Sequence, residues 1–207
     1  YGSSTPVAPR SVIILFIALL FGLATPFGII YLMEILDTTI RGRKDIEDKL
    51  SIPFLGDIPE YHGSTRQGSV VVRDNGRDSV SEAFRLIRSN LGFMSVKSGK
   101  LQIIMVTSSN PHAGKTFVTT NLAMTLALAD KKVVIVDLDL RRRTLSKQMG
   151  QRDNRNGVSG YISGTIANLN DIVFQSGLHE NLDIIFAGLQ PPNPAEMLLS
   201  EKFDEFM

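Results

Sequence analysis

From Val12 to Met33 the chain runs 22 residues without a charged side chain, and no other stretch limits its architecture so severely. Coiled into a helix, such a run is about 33 Å long, against a hydrocarbon core of about 30 Å. A core helix of a water-soluble protein rarely stays uncharged for that length. A cleaved signal peptide has a shorter apolar region and a small-residue cleavage site, and neither is found here. Pro26, with Gly22 and Gly28 nearby, introduces a kink that a membrane helix tolerates. Residues 12–36 are therefore read as a transmembrane helix, with residues 1–11 an extended linker before it. Arg41, Arg43 and Lys44 follow the span closely and only Arg10 precedes it. The excess of basic residues on the C-terminal side places that side in the cytoplasm and the linker outside it.

The second constraint is Ser108-Ser109-Asn110-Pro111-His112-Ala113-Gly114-Lys115-Thr116. It lies between an apolar run, Leu101 to Val106, and a helical pattern from Phe117 to Ala129. Strand, small-residue loop and Gly-Lys-Thr in that order predict a phosphate-binding loop, whose backbone N–H groups point inward at the phosphates. Lys115 would reach the β- and γ-phosphates and the Thr116 hydroxyl would bind Mg²⁺. Ser109 stands where the usual pattern has its first glycine; a small residue keeps the turn feasible. A cytoplasmic ATP site agrees with the orientation argued independently from the flanking charges.

Past the loop helix, Val133 to Val136 reads as a buried strand, completing a βαβ unit with a right-handed crossover. It runs into Asp137-Leu138-Asp139-Leu140-Arg141. Ligands of open parallel sheets sit at the carboxyl ends of the strands, so these groups should face the nucleotide. In an extended segment Asp137 and Asp139 project from the same side. Two carboxylates beside a phosphate suit Mg²⁺ between them, and one of them could accept a proton from an attacking hydroxyl. Arg141, Arg142, Arg143, Lys147, Arg152 and Arg155 make the region that follows basic. Leu182 to Ala187 is a third strand, and Asn193 and Pro194 open a closing helix.

Upstream, Asp45 to Leu50 predicts a short helical turn, Ile52 to Pro59 an extended docking segment, and Val70 to Val72 a brief strand. Ser79 to Val96 predicts a helix, with Ser79-x-x-Glu82 as a capping box. Val80, Phe84, Ile87, Leu91 and Met94 form its apolar face. Glu82, Arg85 and Arg88 share another face, which spacing alone reads as solvated. The organisation is thus a linker (1–11), a transmembrane helix (12–36), a juxtamembrane segment and linker (37–77) and a P-loop domain (78–207). The fold class is α/β: a P-loop NTPase with a mostly parallel sheet flanked by helices, preceded by one transmembrane helix.

Composition closes off other classes. Lys and Arg total 22 against 21 Asp and Glu, a net charge of +1, which gives nucleic-acid binding no support. The absence of cysteine excludes disulfides, thiolate metal sites and thiol nucleophiles. His62, His112 and His179 have no ligand spacing. A chain that opens on Tyr1 and stops in a helix-like segment is read as a piece of a longer protein.

Together these motifs resemble the bacterial tyrosine kinases fused to polysaccharide co-polymerases, inner-membrane proteins that govern capsular or exopolysaccharide assembly and export. Ser108 to Thr116 is similar to their Walker A loop, Val134 to Arg141 to their Walker A′ element, and Glu82-Ala83-Phe84-Arg85-Leu86-Ile87-Arg88 to their Glu-x-x-Arg-x-x-Arg helix. The membrane span with Asp37 to Arg41 and Ile52 to Pro59 is similar to their second transmembrane helix and its junction, and Pro191 to Glu196 adds a weaker agreement. The resemblance implies an autokinase using ATP and Mg²⁺. Ser109 to Phe117 and Arg141 would hold the nucleotide, Lys115, Asp137 and Asp139 would be catalytic, and Thr116, Asp137 and Asp139 would serve the metal. It also implies a homo-oligomeric ring, an octamer in the family, in which Glu82, Arg85 and Arg88 join neighbours and one subunit's tyrosine tail meets the next subunit's site. The implied partners are membrane lipid, the polysaccharide polymerase and export machinery, and a cognate phosphatase.

Three departures qualify this expectation. The family's Walker B strand would follow the closing helix, and by the resemblance this piece, read as ending before it, holds half a catalytic site. Tyr1, Tyr31, Tyr61 and Tyr161 are isolated, so no tyrosine-rich tail is present, and His112-Ala113 replaces a Gly-Glu often found in the loop. Two competing readings are a membrane-tethered partition-type ATPase and a non-catalytic chain-length regulator. The first would place a second lysine five residues before Lys115, where this chain has Asn110.

Overall fold

The computed structural model describes residues 11–37, 39, 42–47, 51–61, 70–98, 103–149 and 156–207, with backbone only for 95–98. Arg10, Arg41, Leu50, Leu101, Arg152 and Arg155, together with most of residues 1–11 and residues 62–69 of the linker, lie outside the described residues. The chain divides into two compact units, Tyr1–Pro53 and Phe54–Met207.

In the first unit, α1 (Ser11–Leu36) is one continuous helix, long and apolar enough to cross a membrane. Its side chains are exposed along its whole length, as befits a helix without a polar face. Pro26 lies inside it without ending it, and the Thr25 hydroxyl donates to the Phe21 carbonyl at 2.7 Å in the same turn. After it comes α2 (Arg43–Glu47), two residues earlier than the expected turn and closed by an Arg43–Glu47 ion pair at 2.7 Å.

The second unit is a three-stranded sheet with helices on both faces. Its elements are α3 (Ser79–Ser98), α4 (Lys115–Ala127), β1 (Val133–Val136), α5 (Thr144–Gln148), α6 (Val158–Ile162), β2 (Val173–Gln175), β3 (Leu182–Ile185), α7 (Pro194–Met197) and α8 (Glu201–Phe206). The strand order is β1-β3-β2. β1 runs parallel to β3, with Val133 opposite Leu182 and Val136 opposite Ile185; β2, which periodicity did not reveal, is antiparallel to β3. Alternation along β3 assigns its faces. Leu182 and Ile184 join a core with Val72, Val80, Phe84, Ile87, Leu122 and Ile135, under α3 and α4. Ile185 faces the other way, onto Leu140, Val158, Ile162 and Ile172, with Phe203 and Phe206 of α8 packed alongside.

One expected strand is not found among the described residues. Residues 103–107 carry no regular secondary structure, and Ile103, Ile104 and Met105 are exposed. The expected βαβ unit between residues 101–106 and β1 is therefore not formed among the described residues. Among the described residues β1 has β3 as its parallel neighbour and lies at the edge of the sheet. The physical reason is that a strand exists only through its ladder. The apolar sequence supplies the propensity, but among the described residues no partner supplies the hydrogen bonds. Val70 to Val72 likewise forms no strand, although Val71 and Val72 are buried.

The helix expected over 79–96 is observed as α3, and Val80, Phe84 and Ile87 are buried as its period requires, while Met94 is exposed. Its cap differs from the expected Ser79-x-x-Glu82 box. Asp78 accepts the Ser81 N–H at 2.9 Å through Oδ1 and the Ser81 hydroxyl at 2.6 Å through Oδ2, so the cap sits one residue earlier. Glu82 instead pairs with Arg85. The Ser81 hydroxyl holds the Asp78 carboxyl below the usual carboxylate range. Asp78→Ala should lower stability by about 1–2 kcal/mol, the usual cost of removing an N-cap acceptor. A urea unfolding midpoint unchanged at neutral pH would show that Asp78 does not hold this end of the helix.

Candidate nucleotide site

The parallel pairing of β1 with β3 determines where chemistry can gather. α4 packs on β1 and is joined to it by the short turn of residues 128–132, so α4 runs back along the strand. Its N-terminus, and the loop that leads into it, therefore lie at the carboxyl end of β1. That end also carries Asp137 and Asp139, and the carboxyl end of β3 carries the Gly188–Asn193 loop. The geometry is the one that places ligands of α/β sheets beyond the strand ends.

Within the loop, Ser109, Asn110, Pro111, His112, Ala113 and Gly114 are exposed, and Lys115, Thr116 and Phe117 are half-buried. Gly114 precedes the helix in the left-handed region, at φ 86° and ψ 10°, and no side chain caps the first turn. That leaves helix N-terminal amides for an outside acceptor, the usual basis of phosphate binding. His112 is also left-handed, at φ 62°. Here is the physical content of the His-for-Gly difference at this position: the backbone requires a geometry that costs an L-residue about 1–2 kcal/mol. The Lys115 ammonium donates to the Ser108 hydroxyl at 2.8 Å and to the Asn110 carbonyl at 3.4 Å. The Ser108 hydroxyl in turn donates to the same carbonyl at 2.8 Å.

The two aspartates differ more than their alternation suggested. β1 ends at Val136 and the chain turns at once, with the Leu140 N–H donating to the Leu138 carbonyl. Asp137 is buried, at 7% exposure, and its N–H extends the ladder by donating to the Ile185 carbonyl at 2.9 Å. Its carboxylate accepts the Asp139 N–H at 3.1 Å and the Ser146 hydroxyl at 3.4 Å. Burial pushes this carboxyl above the ordinary range, and the nearby Asp139 charge pushes the same way. Asp139 is exposed and organises the following turn: its Oδ1 accepts the Arg142 N–H at 3.0 Å and its carbonyl the Arg143 N–H at 2.9 Å. The equal projection expected of strand residues is thus replaced by one inward and one outward carboxylate, because the strand is too short to contain both.

Arg141 and Arg142 are exposed beside this turn. Arg143, left-handed at φ 52°, donates to the Gly188 carbonyl at 3.2 Å and so ties the Asp-x-Asp turn to the loop after β3. That loop is itself fixed by a backbone crossing. The Val158 N–H donates to the Phe186 carbonyl at 2.9 Å, and a Cβ on Gly157 would fall 2.4 Å from that oxygen. Glu82, Arg85 and Arg88 lie on α3, away from the strand ends. Arg85 donates to the Asp74 carbonyl at 3.1 Å and Arg88 to the Thr125 carbonyl at 3.0 Å, near the last turn of α4. Ser146 was not singled out by sequence reasoning, because no motif spacing marks a residue that supports a carboxylate across a turn, and Arg143 was read only as one of a basic group.

Thr116, Asp137 and Asp139 make a thin donor set, and no cluster of three or more His, Cys, Asp or Glu groups occurs among the described residues. Such a set fits Mg²⁺, which keeps several waters and is held through one or two carboxylates plus phosphate oxygens. The raised Asp137 carboxyl has a consequence for stability. The folded chain binds this proton more tightly than the unfolded chain does, so the stability it brings is complete below the ordinary carboxylate value of 3.8 and lost as pH rises through the raised one. Asp137→Asn, neutral at every pH, should therefore melt at a higher temperature than wild type at pH 7 and lose that advantage toward pH 4, measured with a chelator. An advantage equal at both pH values would contradict a strained, buried carboxylate.

The profile of the CbiA family, described as the CobQ/CobB/MinD/ParA nucleotide binding domain, matches residues 104–200. A Klebsiella pneumoniae protein, provisionally named a tyrosine-protein kinase in the cps region, is 29% identical over 216 residues, covering 98% of this chain and 29% of its own length. The chain thus spans under a third of that relative. Among solved structures, the kinase domain of the Escherichia coli tyrosine kinase ETK is similar at 29% identity and a TM-score of 0.70, over 81% of this chain and 67% of that one. The chimerical protein CapA2B2 is similar at 31% identity and a TM-score of 0.68, over 79% and 67%. With its phosphate loop, its Asp-x-Asp turn and these relatives, the chain belongs to the bacterial tyrosine kinases, built on the nucleotide-binding P-loop domain.

Proposed function

We propose that the intact protein is an ATP-dependent tyrosine autokinase of the bacterial inner membrane, regulating polymerisation and export of a capsular polysaccharide or exopolysaccharide. The observation that carries this reading is the convergence of Lys115, Thr116 and the buried Asp137 at the carboxyl end of one parallel strand pair. ATP supplies the phosphoryl group. Residues 109–117 and Arg141 bind its phosphates, and Lys115 holds the β- and γ-oxygens in place of water. Thr116 and Asp139 serve Mg²⁺, with Asp139 turned outward and open to solvent. Asp137 accepts the proton of the attacking tyrosine hydroxyl. A carboxyl raised by burial, beside the transferring group, suits a general base better than an ordinary one does.

The substrate tyrosines belong to a C-terminal tail presented in trans by a neighbour in a ring, as in the family. Glu82, with Arg85 and Arg88, forms that contact; Glu82 is the exposed member of the three. The membrane helix tethers the domain on the cytoplasmic side, where Arg43 and Lys44 stand next to the span. The polymerase and export machinery, lipid and a cognate phosphatase are its partners.

Incubating the intact protein with ATP and Mg²⁺ should yield phosphotyrosine, and Lys115→Met should abolish it. Phosphate release without phosphotyrosine would favour a partition-type ATPase instead. No turnover of either kind would favour the non-catalytic chain-length regulator. For the ring, Glu82→Ala should shrink the particle seen by light scattering while nucleotide binding persists. A particle of unchanged size would remove Glu82 from the subunit contact.

A further inference from the structure

Residues 70–76 approach the sheet domain from the membrane side of the sequence and have no place in the sheet. Their first hydrogen bonds end on one side chain. The Val71 and Val72 N–H groups both donate to Asn121 Oδ1, at 2.7 and 3.1 Å. Asn121 is fully buried in the middle of α4, and its Nδ2 donates to the Phe117 carbonyl at 2.9 Å, in the first full turn after Lys115. The Thr125 hydroxyl closes the next turn onto the Asn121 carbonyl at 2.6 Å. Further along the same segment, Arg85 of α3 holds the Asp74 carbonyl. A buried amide satisfying two backbone donors is costly to remove, since both N–H groups would be left without acceptors.

A helix is stiff over a few turns, so the place where it is anchored determines where its N-terminus points. Lys115 and Thr116 begin α4 only about 9 Å of helix before Asn121. We propose that Asn121 is a positioning residue of the nucleotide site, locking the backbone of Val71 and Val72 to α4 so that nucleotide affinity depends on how the segment leading in from the membrane side is seated. This rests on the reading of Ser108 to Thr116 as the ATP phosphate loop. Asn121 touches no nucleotide in this scheme; it acts through α4. Seating of residues 70–76 and nucleotide binding are then linked, each favouring the other by the same factor.

A fluorescent ATP analogue titrated with Mg²⁺ into the full chain tests the link. Asn121→Leu removes the acceptor, and Val71→Pro removes one donor without changing α4. Each should weaken binding about tenfold, a typical coupling between sites. The double variant should be no weaker than Asn121→Leu alone, because both changes break one connection. Ile172→Val, in the core on the opposite face of the sheet, provides a control that lowers stability and should leave affinity unchanged. Binding unchanged in folded Asn121→Leu, additive losses in the double variant, or equal losses in the control would each overturn the proposal. If Asn121→Leu does not fold by circular dichroism, Asn121→Ser takes its place in the cycle. A wild type that binds no nucleotide overturns the phosphate-loop reading and the proposal together; a wild type that binds, with variants that bind equally, overturns the proposal alone.

Discussion

The parallel pair of β1 and β3 is the constraint from which the rest of the domain follows. Two parallel strands put their carboxyl ends on one side, and every element of chemical interest is delivered there by the connection that leaves or reaches those ends. Leu182 and Ile184 must face α3 and α4 while Ile185 faces α6 and α8, so the pairing register also decides which helices cover which face. A slip of one residue would exchange the two cores and carry Asp137 out of its ladder bond with Ile185.

The site that results is asymmetric in a useful way. Asp137 is held inside by a backbone ladder bond, the Asp139 amide and Ser146, and its burial makes ionisation costly. Asp139 is outside and supports the turn that delivers Arg141 and Arg143. Two residues with the same chemistry, two positions apart, thus sit in different surroundings, because the Asp137 N–H continues the ladder just past the end of β1 while Asp139 lies in the turn. The opposite wall is a helix whose left-handed Gly114 leaves its first amides uncapped. His112 keeps the same left-handed geometry at a cost that glycine would avoid.

The α3 arginines unite the remaining parts. In the single chain Arg85 holds the carbonyl of Asp74 and Arg88 that of Thr125, both within hydrogen-bond reach. The helix that the resemblance assigns to subunit contact is therefore also bonded to the segment from the membrane side and to the far end of the phosphate-loop helix. Through the Arg88 bond to Thr125, α3 thus meets α4 at the end opposite Lys115.

What the sequence determined by itself is what is local or periodic. A 22-residue uncharged run, a Gly-Lys-Thr before a helix, a 3.6-residue apolar face from Val80 to Ile87 and an Asp-x-Asp after a Val-rich strand are each decided by neighbours a few residues away. Tertiary structure decided everything that depends on a partner distant in sequence. Residues 103–107 have the composition of a strand and remain irregular among the described residues, because a ladder needs a second chain segment to complete it. Val71 and Val72 have the same composition, and their N–H groups go to a side chain some fifty positions away. The cap of α3 moved from Ser79 to Asp78 because two acceptors were available locally and only packing of Ser81 into the interior chose between them. The unequal burial of Asp137 and Asp139 had no sequence signal at all, since exposure is set by what folds over a residue rather than by the residue itself.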